Sequence, residues 1–264
     1  MDRRQVLRLL GLCSVGATTI LGRSSFSRAV ANELGPMWGY VGVGNPAEWS
    51  ELSPEFSACG VGREQSPIDL SQDILSQDIR AELSTITINY QSVPLRIVNN
   101  GHTAEVRVNP GSGIILDNEP YELEQFHFHQ PSEHTVEGTT FPMEMHLVHK
   151  NARGELAVIG VLLAEGKENP TLGPIWEAIP PEKSEEVHVP DVQINLDALL
   201  PENSETYRYF GSLTTPPCSE IVQWVVLQTP MELSPAQVAQ FKAIFPPNAR
   251  PVQARNRRIV LRSD

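Results

Sequence analysis

Residues 125–129 (Gln-Phe-His-Phe-His) and 143–147 (Met-Glu-Met-His-Leu) alternate polar and apolar side chains with a period of two. That period belongs to an extended strand, so each segment presents Phe126 and Phe128, or Met145 and Leu147, to one face and its histidines to the other. The apolar faces demand a core, and the chain must therefore build a sheet with a second, histidine-bearing face that is either a lined cavity or a wet surface. His127 and His129 project together, and a neighbouring strand can bring His146 beside them. Three neutral imidazoles fix a borderline-soft divalent cation such as Zn2+, and the lack of a fourth protein ligand leaves a position for water, as in catalytic rather than structural zinc sites. Gln125 and Glu144 lie two residues before His127 and His146, on the same face, where they can take the second ring nitrogen of each imidazole.

Further β-rich runs occur at 84–90, 95–98, 104–108, 121–129, 156–164, 221–228 and 258–261, separated by turn signals such as Asn100-Gly101 and Asn109-Pro110-Gly111. Helical patterns are few: one at 171–179 and one at 234–244, with Ser234 as N-cap and Pro235 in the first turn. Many strands with a few short peripheral helices predict a mainly β fold, a large twisted central sheet that is mostly antiparallel. Val161-Leu162-Leu163 and Val225-Val226-Leu227 are apolar on both faces, so their strands are expected at the centre of the sheet.

The first 31 residues read as a cleaved export signal: early arginines, an apolar stretch from Val6 and a small-x-small site at Ala29-Val30-Ala31. Arg3-Arg4 followed by Val6-Leu7 is like a twin-arginine signal, with general secretion as the alternative; lipidation at Cys13 is disfavoured by the bulky Leu12. The expected mature chain, residues 32–264, is one domain without repeats or long linkers, and is placed in the periplasm or outside the cell. No later apolar run approaches the roughly 20 residues needed to span a bilayer, so no stable membrane insertion is expected after cleavage. The whole chain carries a net charge of −12 and the signal holds five arginines against one aspartate, a net of +4, which leaves the remainder near −16. So acidic a surface disfavours nucleic acid as a partner. With Cys13 removed, Cys59 and Cys218 are an even pair in an oxidising compartment, and a disulfide is the expected state, two buried thiols being the alternative.

Beyond the two histidine segments, Trp38-Gly39-Tyr40, Gln65-Ser66-Pro67-Ile68-Asp69, Asn99-Asn100-Gly101-His102, Gly211-Ser212-Leu213-Thr214-Thr215-Pro216-Pro217 and Trp224 follow in order. Together they resemble the α-class carbonic anhydrases, from residue 38 to the C-terminal strands. The resemblance implies a zinc enzyme that interconverts carbon dioxide and bicarbonate by attack of a zinc-bound hydroxide, with ester hydrolysis as a side reaction, sensitivity to sulfonamide or anion inhibitors, and a monomer or homodimer. His127, His129 and His146 match the ligands. Thr214 and Glu133 match the hydroxyl and carboxylate that orient the nucleophile, and Val148, Val158, Leu213, Val222 and Trp224 match the apolar wall that receives carbon dioxide. Thr215 would flank bicarbonate. His102 occupies the proton-shuttle position, suited by an unperturbed imidazole pKa near 6.5, and Tyr40 and Asn100 match residues that order the water chain. By the same similarity Asn248 offers a backbone acceptor to a ligand histidine and Tyr209 bonds near Thr214. The chain departs from many relatives at Glu105, where an amide is usual, and at Gln130-Pro131, where Trp-Gly follows the second ligand.

Two rivals remain from the residues alone. His127-x-His129 followed by Glu133 imitates a cupin iron or manganese motif, although Pro131 interrupts the strand. A carbonic-anhydrase-like binding module without activity is the non-enzymatic alternative.

Overall fold

The computed structural model describes residues 37–70, 83, 86–203 and 205–263. The expected signal, residues 1–31, and the start of the strand expected at 84–90 lie outside these residues. The strands, in chain order, are β1 (Thr87–Asn89), β2 (Ser92–Asn99), β3 (Ala104–Arg107), β4 (Gly113–Leu116), β5 (Glu119–His129), the small hairpin β6 (Thr135–Val136) and β7 (Thr139–Thr140), β8 (Met143–Lys150) and β9 (Leu156–Glu165). They continue with β10 (Val187–Asn195), β11 (Thr206–Gly211), β12 (Val222–Leu227), β13 (Met231–Leu233) and β14 (Leu261–Arg262). Short helices α1 (Trp49–Leu52), α2 (Ala58–Val61), α3 (Gly173–Ala178) and α4 (Pro235–Ile244) lie around them.

Among the described residues one 12-stranded sheet runs in the order β10-β2-β3-β5-β8-β9-β12-β11-β14, with β1, β4 and β13 attached to its sides. Pairing is antiparallel except where β12 and β13 run parallel to β9. As their composition demands, β9 and β12 are central and buried on both faces along most of their length.

The two faces carry different cargo. Phe126, Phe128, Met145 and Leu147 are fully buried on one face in the main core, covered by Trp176 of α3 and Phe241 of α4; the Phe128 and Trp176 rings meet at 4.7 Å. Helix α4 starts where its sequence directs: the Ser234 hydroxyl accepts the Gln237 N–H, and the Gln237 side chain returns to the Ser234 N–H. The opposite face is set by register. His127 sits directly across from His146, and His129 from Glu144; the row continues through Gly160 of β9 to Val226 of β12. Gly160 suits the crowding there, because a Cβ would stand 3.0 Å from Glu144 Oε1 and 3.3 Å from Val226, so the neighbours would have to give by a few tenths of an ångström.

Two differences from the sequence expectation have local causes. Of the strand expected at 258–261 only Leu261 pairs, followed by Arg262, because Arg255 and Arg258 close a turn through each other's carbonyls around the left-handed Asn256. Strand β10 was hidden by its acidic, proline-interrupted sequence; it is an edge strand whose register shifts between His188 and Gln193, with Asp191 at φ 62°. His188 is exposed on it.

Candidate metal centre

Strands β5 and β8 place one ligand atom from each of His127, His129 and His146 within 4.8 Å of one another. Each imidazole has one nitrogen already committed. His127 Nδ1 meets Gln125 Oε1 at 2.8 Å, His129 Nδ1 meets the Asn248 carbonyl at 2.8 Å, and His146 Nε2 meets Glu144 Oε1 at 2.9 Å. These acceptors fix the rings and leave Nε2, Nε2 and Nδ1 as the free donors. Burial pushes all three imidazoles down in pKa, His129 to about 4, so they are neutral at pH 7, the state that binds metal.

The fit to a cation has an independent sign. His129 Nε2 and Glu133 Oε2 are both buried without a hydrogen-bond partner. Buried polar atoms in native proteins are rarely left so, and a divalent ion held by the three imidazoles removes the first of these deficits. Glu133 Oε1 accepts the Arg250 N–H at 2.8 Å and lies 3.5 Å from His129 Nδ1, while Oε2 stands 3.9 Å from His146 Nδ1. Burial raises the Glu133 carboxyl to about 7, opposed by His146, the Arg250 N–H and the hydroxyl of Thr214. Thr214 thus stands beside Glu133, although Oε2 still lacks a partner at full hydrogen-bonding geometry.

Glu144 is the most heavily coordinated group. Its Oε1 accepts from His134 and His146, and its Oε2 accepts the backbone N–H groups of Glu133 and His134 at 2.8 Å each. Although burial opposes ionisation, His134 and His146 hold this carboxyl well below its ordinary pKa. His134, Glu144 and His146 also cluster tightly enough to suggest a metal, but their nitrogens and Oε1 are joined in these hydrogen bonds. The Tyr209 hydroxyl donates to Ser66 Oγ at 2.9 Å, the oxygen that also accepts the Ser212 N–H two residues before Thr214, and meets His134 Nε2 at 2.6 Å. Asn248 does more than its expected carbonyl role, since its side chain also links Gln130 N, Phe128 O and His102 O.

Val148, Val158, Leu213, Val222 and Trp224 belong to one apolar cluster on the metal side of the sheet. Register explains it, since Val148 pairs with Val158 and Val158 with Trp224. Trp224 also packs edge-on against His146, ring centres 4.9 Å apart. Thr215 is half-buried in the adjoining loop, and its carbonyl accepts the Cys218 N–H.

His102 is half-buried and stacked on Trp38, with ring centres 3.9 Å apart and planes within 2°. Burial first and the Lys183 ammonium second lower its pKa. Tyr40 packs edge-on to Trp38 and Trp49, and its hydroxyl pKa is raised by burial and then by Glu133. Asn100 Oδ1 accepts the N–H groups of His102 and Thr103, so that oxygen shapes the turn carrying His102. Glu105, paired across the strands with His127, meets Arg107 at 3.1 Å. Cys59 and Cys218 form the expected disulfide. His149 is a core residue, bonded to the Tyr90 hydroxyl and the Ala157 carbonyl. Sequence reasoning missed Arg250, a buried arginine whose partners lie far from it in the chain.

The family model for eukaryotic-type carbonic anhydrase matches residues 44–264. The chain belongs to the α carbonic anhydrase family. A carbonic anhydrase of Nostoc sp. is 44% identical over 262 residues, covering 98% of this chain and 97% of that protein. The carbonic anhydrase of Pectobacterium carotovorum is 45% identical over 227 residues, 85% of this chain and 90% of that protein. Among solved structures, the α-carbonic anhydrase of Thermovibrio ammonificans in complex with the inhibitor sulfanilamide superposes with a TM-score of 0.82 at 43% identity, covering 86% of this chain and 99% of that one. Membership in the carbonic anhydrase family removes the cupin alternative, and the metal group agrees: His146, not Glu133, completes it.

Proposed function

We propose that this carbonic anhydrase is a zinc enzyme that hydrates carbon dioxide reversibly to bicarbonate and a proton. The observation that carries the reading is the convergence of three neutral, individually tethered imidazoles beside an unpartnered buried carboxylate oxygen and an apolar wall. His127, His129 and His146 hold the metal, with Gln125, the Asn248 carbonyl and Glu144 fixing their rings. When bound, zinc lowers the pKa of its water to about 7, the known value for carbonic anhydrases as a class, and so supplies hydroxide at neutral pH.

The chain's own residues supply orientation and transport. Thr214 stands with its hydroxyl beside Glu133, and turning its hydrogen to that carboxylate leaves the Thr214 oxygen as an acceptor that aims the attacking group; fixing orientation in this way removes an entropic part of the barrier. Val148, Val158, Leu213, Val222 and Trp224 receive apolar carbon dioxide by contact rather than by hydrogen bonds. Thr215 flanks the bicarbonate formed there. His102 carries the released proton to solvent; a lowered pKa makes its imidazole a ready donor once protonated. Tyr40 and Asn100 order the intervening water.

Residues 1–31 are a cleaved, twin-arginine-like export signal, and residues 32–264 work as a single domain, a monomer or homodimer, in the periplasm or outside the cell. The disulfide supports an oxidising compartment, and no helix among the described residues is long and apolar enough to cross a membrane. The test of function is stopped-flow hydration of carbon dioxide by the zinc-loaded protein, with and without a sulfonamide. Inhibitable turnover above the buffer rate is expected. A single bound zinc without turnover would favour a carbonic-anhydrase-like binding module.

A further inference from the structure

Arg250 is only 2% exposed, yet none of the roles assigned above uses its guanidinium. Nη1 donates to Gln65 Oε1 at 2.9 Å and to the Ser66 carbonyl at 2.8 Å, and Nη2 donates to the Cys59 carbonyl at 3.0 Å. The cation lies 5.6 Å over the Trp49 ring.

These three acceptors belong to the residues that pin the two ends of loop 211–219. At one end Ser66 N donates to Ser212 Oγ at 2.9 Å and Ser212 N donates to Ser66 Oγ at 3.1 Å. A Cβ at Gly211 would stand 2.3 Å from the same Ser66 Oγ, so only glycine admits this approach. At the other end Gln65 Nε2 donates to the Cys218 carbonyl at 3.0 Å, and Cys59 is joined covalently to Cys218. Leu213, Thr214 and Thr215 lie between the two anchors. The backbone N–H of Arg250 meanwhile donates to Glu133 Oε1.

We infer that Arg250 is a positioning residue for the Thr214–Glu133 pair: its guanidinium gathers the anchors of the Thr214 loop while its main chain holds Glu133. The inference rests on the carbonic anhydrase reading above. Arginine suits the task because its planar fork reaches several acceptors in fixed directions, whereas lysine offers a single nitrogen. Both halves of the pair are thereby referred to one residue, the Thr214 loop through its side chain and Glu133 through its backbone N–H, and displacements of about 1 Å between reacting groups can cost on the order of 100-fold in rate.

The test uses full-chain Arg250→Met, Arg250→Lys, Glu133→Gln and the double variant Glu133→Gln/Arg250→Met, with zinc content, hydrogen exchange and carbon dioxide hydration as readouts. Arg250→Met is expected to keep its zinc and the protection of β8 and β9, to exchange faster across 211–219, and to lose about tenfold or more in kcat/KM. Arg250→Lys should recover part of both losses. On the Glu133→Gln background the second substitution should cost no more than about twofold, since the two act on one step. Unchanged exchange across 211–219 with unchanged kcat/KM, or losses that multiply in the double variant, would overturn the inference. If Arg250→Met does not fold, Arg250→Lys decides by the same two readouts, wild-type values in both overturning it. An unsubstituted chain without hydration activity would instead refute the carbonic anhydrase reading, and hydrogen exchange across 211–219 would still decide whether Arg250 anchors the loop.

Discussion

Glu144 Oε1 lies 2.9 Å from Nε2 of His146, which leaves Nδ1 as the only nitrogen this imidazole can offer to a metal. The other three hydrogen bonds to Glu144 hold the carboxylate in place and ionised. An anionic acceptor behind a ligand raises the ligand's basicity.

Glu144→Gln keeps the shape and removes the charge. Zinc affinity should fall about 10- to 100-fold, the usual effect of losing such a partner, as read by competition with a chromophoric chelator. Wild-type affinity in this variant would mean that Glu144 serves only the His134 network.

His149 gives the fold a defined pH dependence. It is fully buried between the Tyr90 hydroxyl, at 2.7 Å from Nε2, and the Ala157 carbonyl, at 3.1 Å from Nδ1, and burial pushes its pKa down to about 4. The unfolded imidazole, near 6.5, takes up a proton first. Its contribution is therefore complete above about pH 6.5 and is lost as pH falls toward 4, up to about 3 kcal/mol. His149→Gln should flatten the stability curve across that window in denaturant titrations; an unchanged slope between pH 6.5 and 4 would contradict the assignment.

The Cys59–Cys218 bridge spans 159 residues of chain. Replacing both cysteines by serine should cost about 2–5 kcal/mol of stability, measured by guanidinium unfolding without reductant. The same loss should appear on reducing the native protein, and insensitivity to reductant would show that the bridge carries no stability.

Val148 lines the metal side of the sheet and is only half-buried, so a larger side chain there projects into the space beside the imidazoles. Val148→Phe should lower kcat/KM for carbon dioxide by about tenfold or more while zinc content stays constant, because the apolar docking volume is filled. Unaltered hydration kinetics would remove Val148 from the wall.

The strands that carry the site were legible because their pattern is strong. In β5 and β8 the alternation of Phe126, Phe128, Met145 and Leu147 with the histidines fixes strand, face and metal group together. Helix α4 was legible from Ser234 and Pro235, whose capping is local. Strands β10 and β11 were not, because an edge strand with Pro190 and a bulge has no clean period, and Thr206–Gly211 mixes buried Tyr207 and Tyr209 with half-buried Arg208. The role of Arg250 was invisible for another reason: its acceptors at Cys59, Gln65 and Ser66 lie more than 180 residues away in the chain, and no spacing rule connects them. The partners of Tyr209 were not legible for the same reason, its bond to Ser66 spanning 143 positions.

Whether His127, His129 and His146 together hold the metal on which activity depends is decided by adding zinc stepwise to chelator-stripped protein while following carbon dioxide hydration. Activity should disappear on stripping, return linearly and break at a single zinc equivalent, and His127→Ala and His146→Ala should neither retain zinc nor recover. Hydration that survives stripping, or an alanine variant that binds zinc as the native chain does, would contradict the three-histidine site.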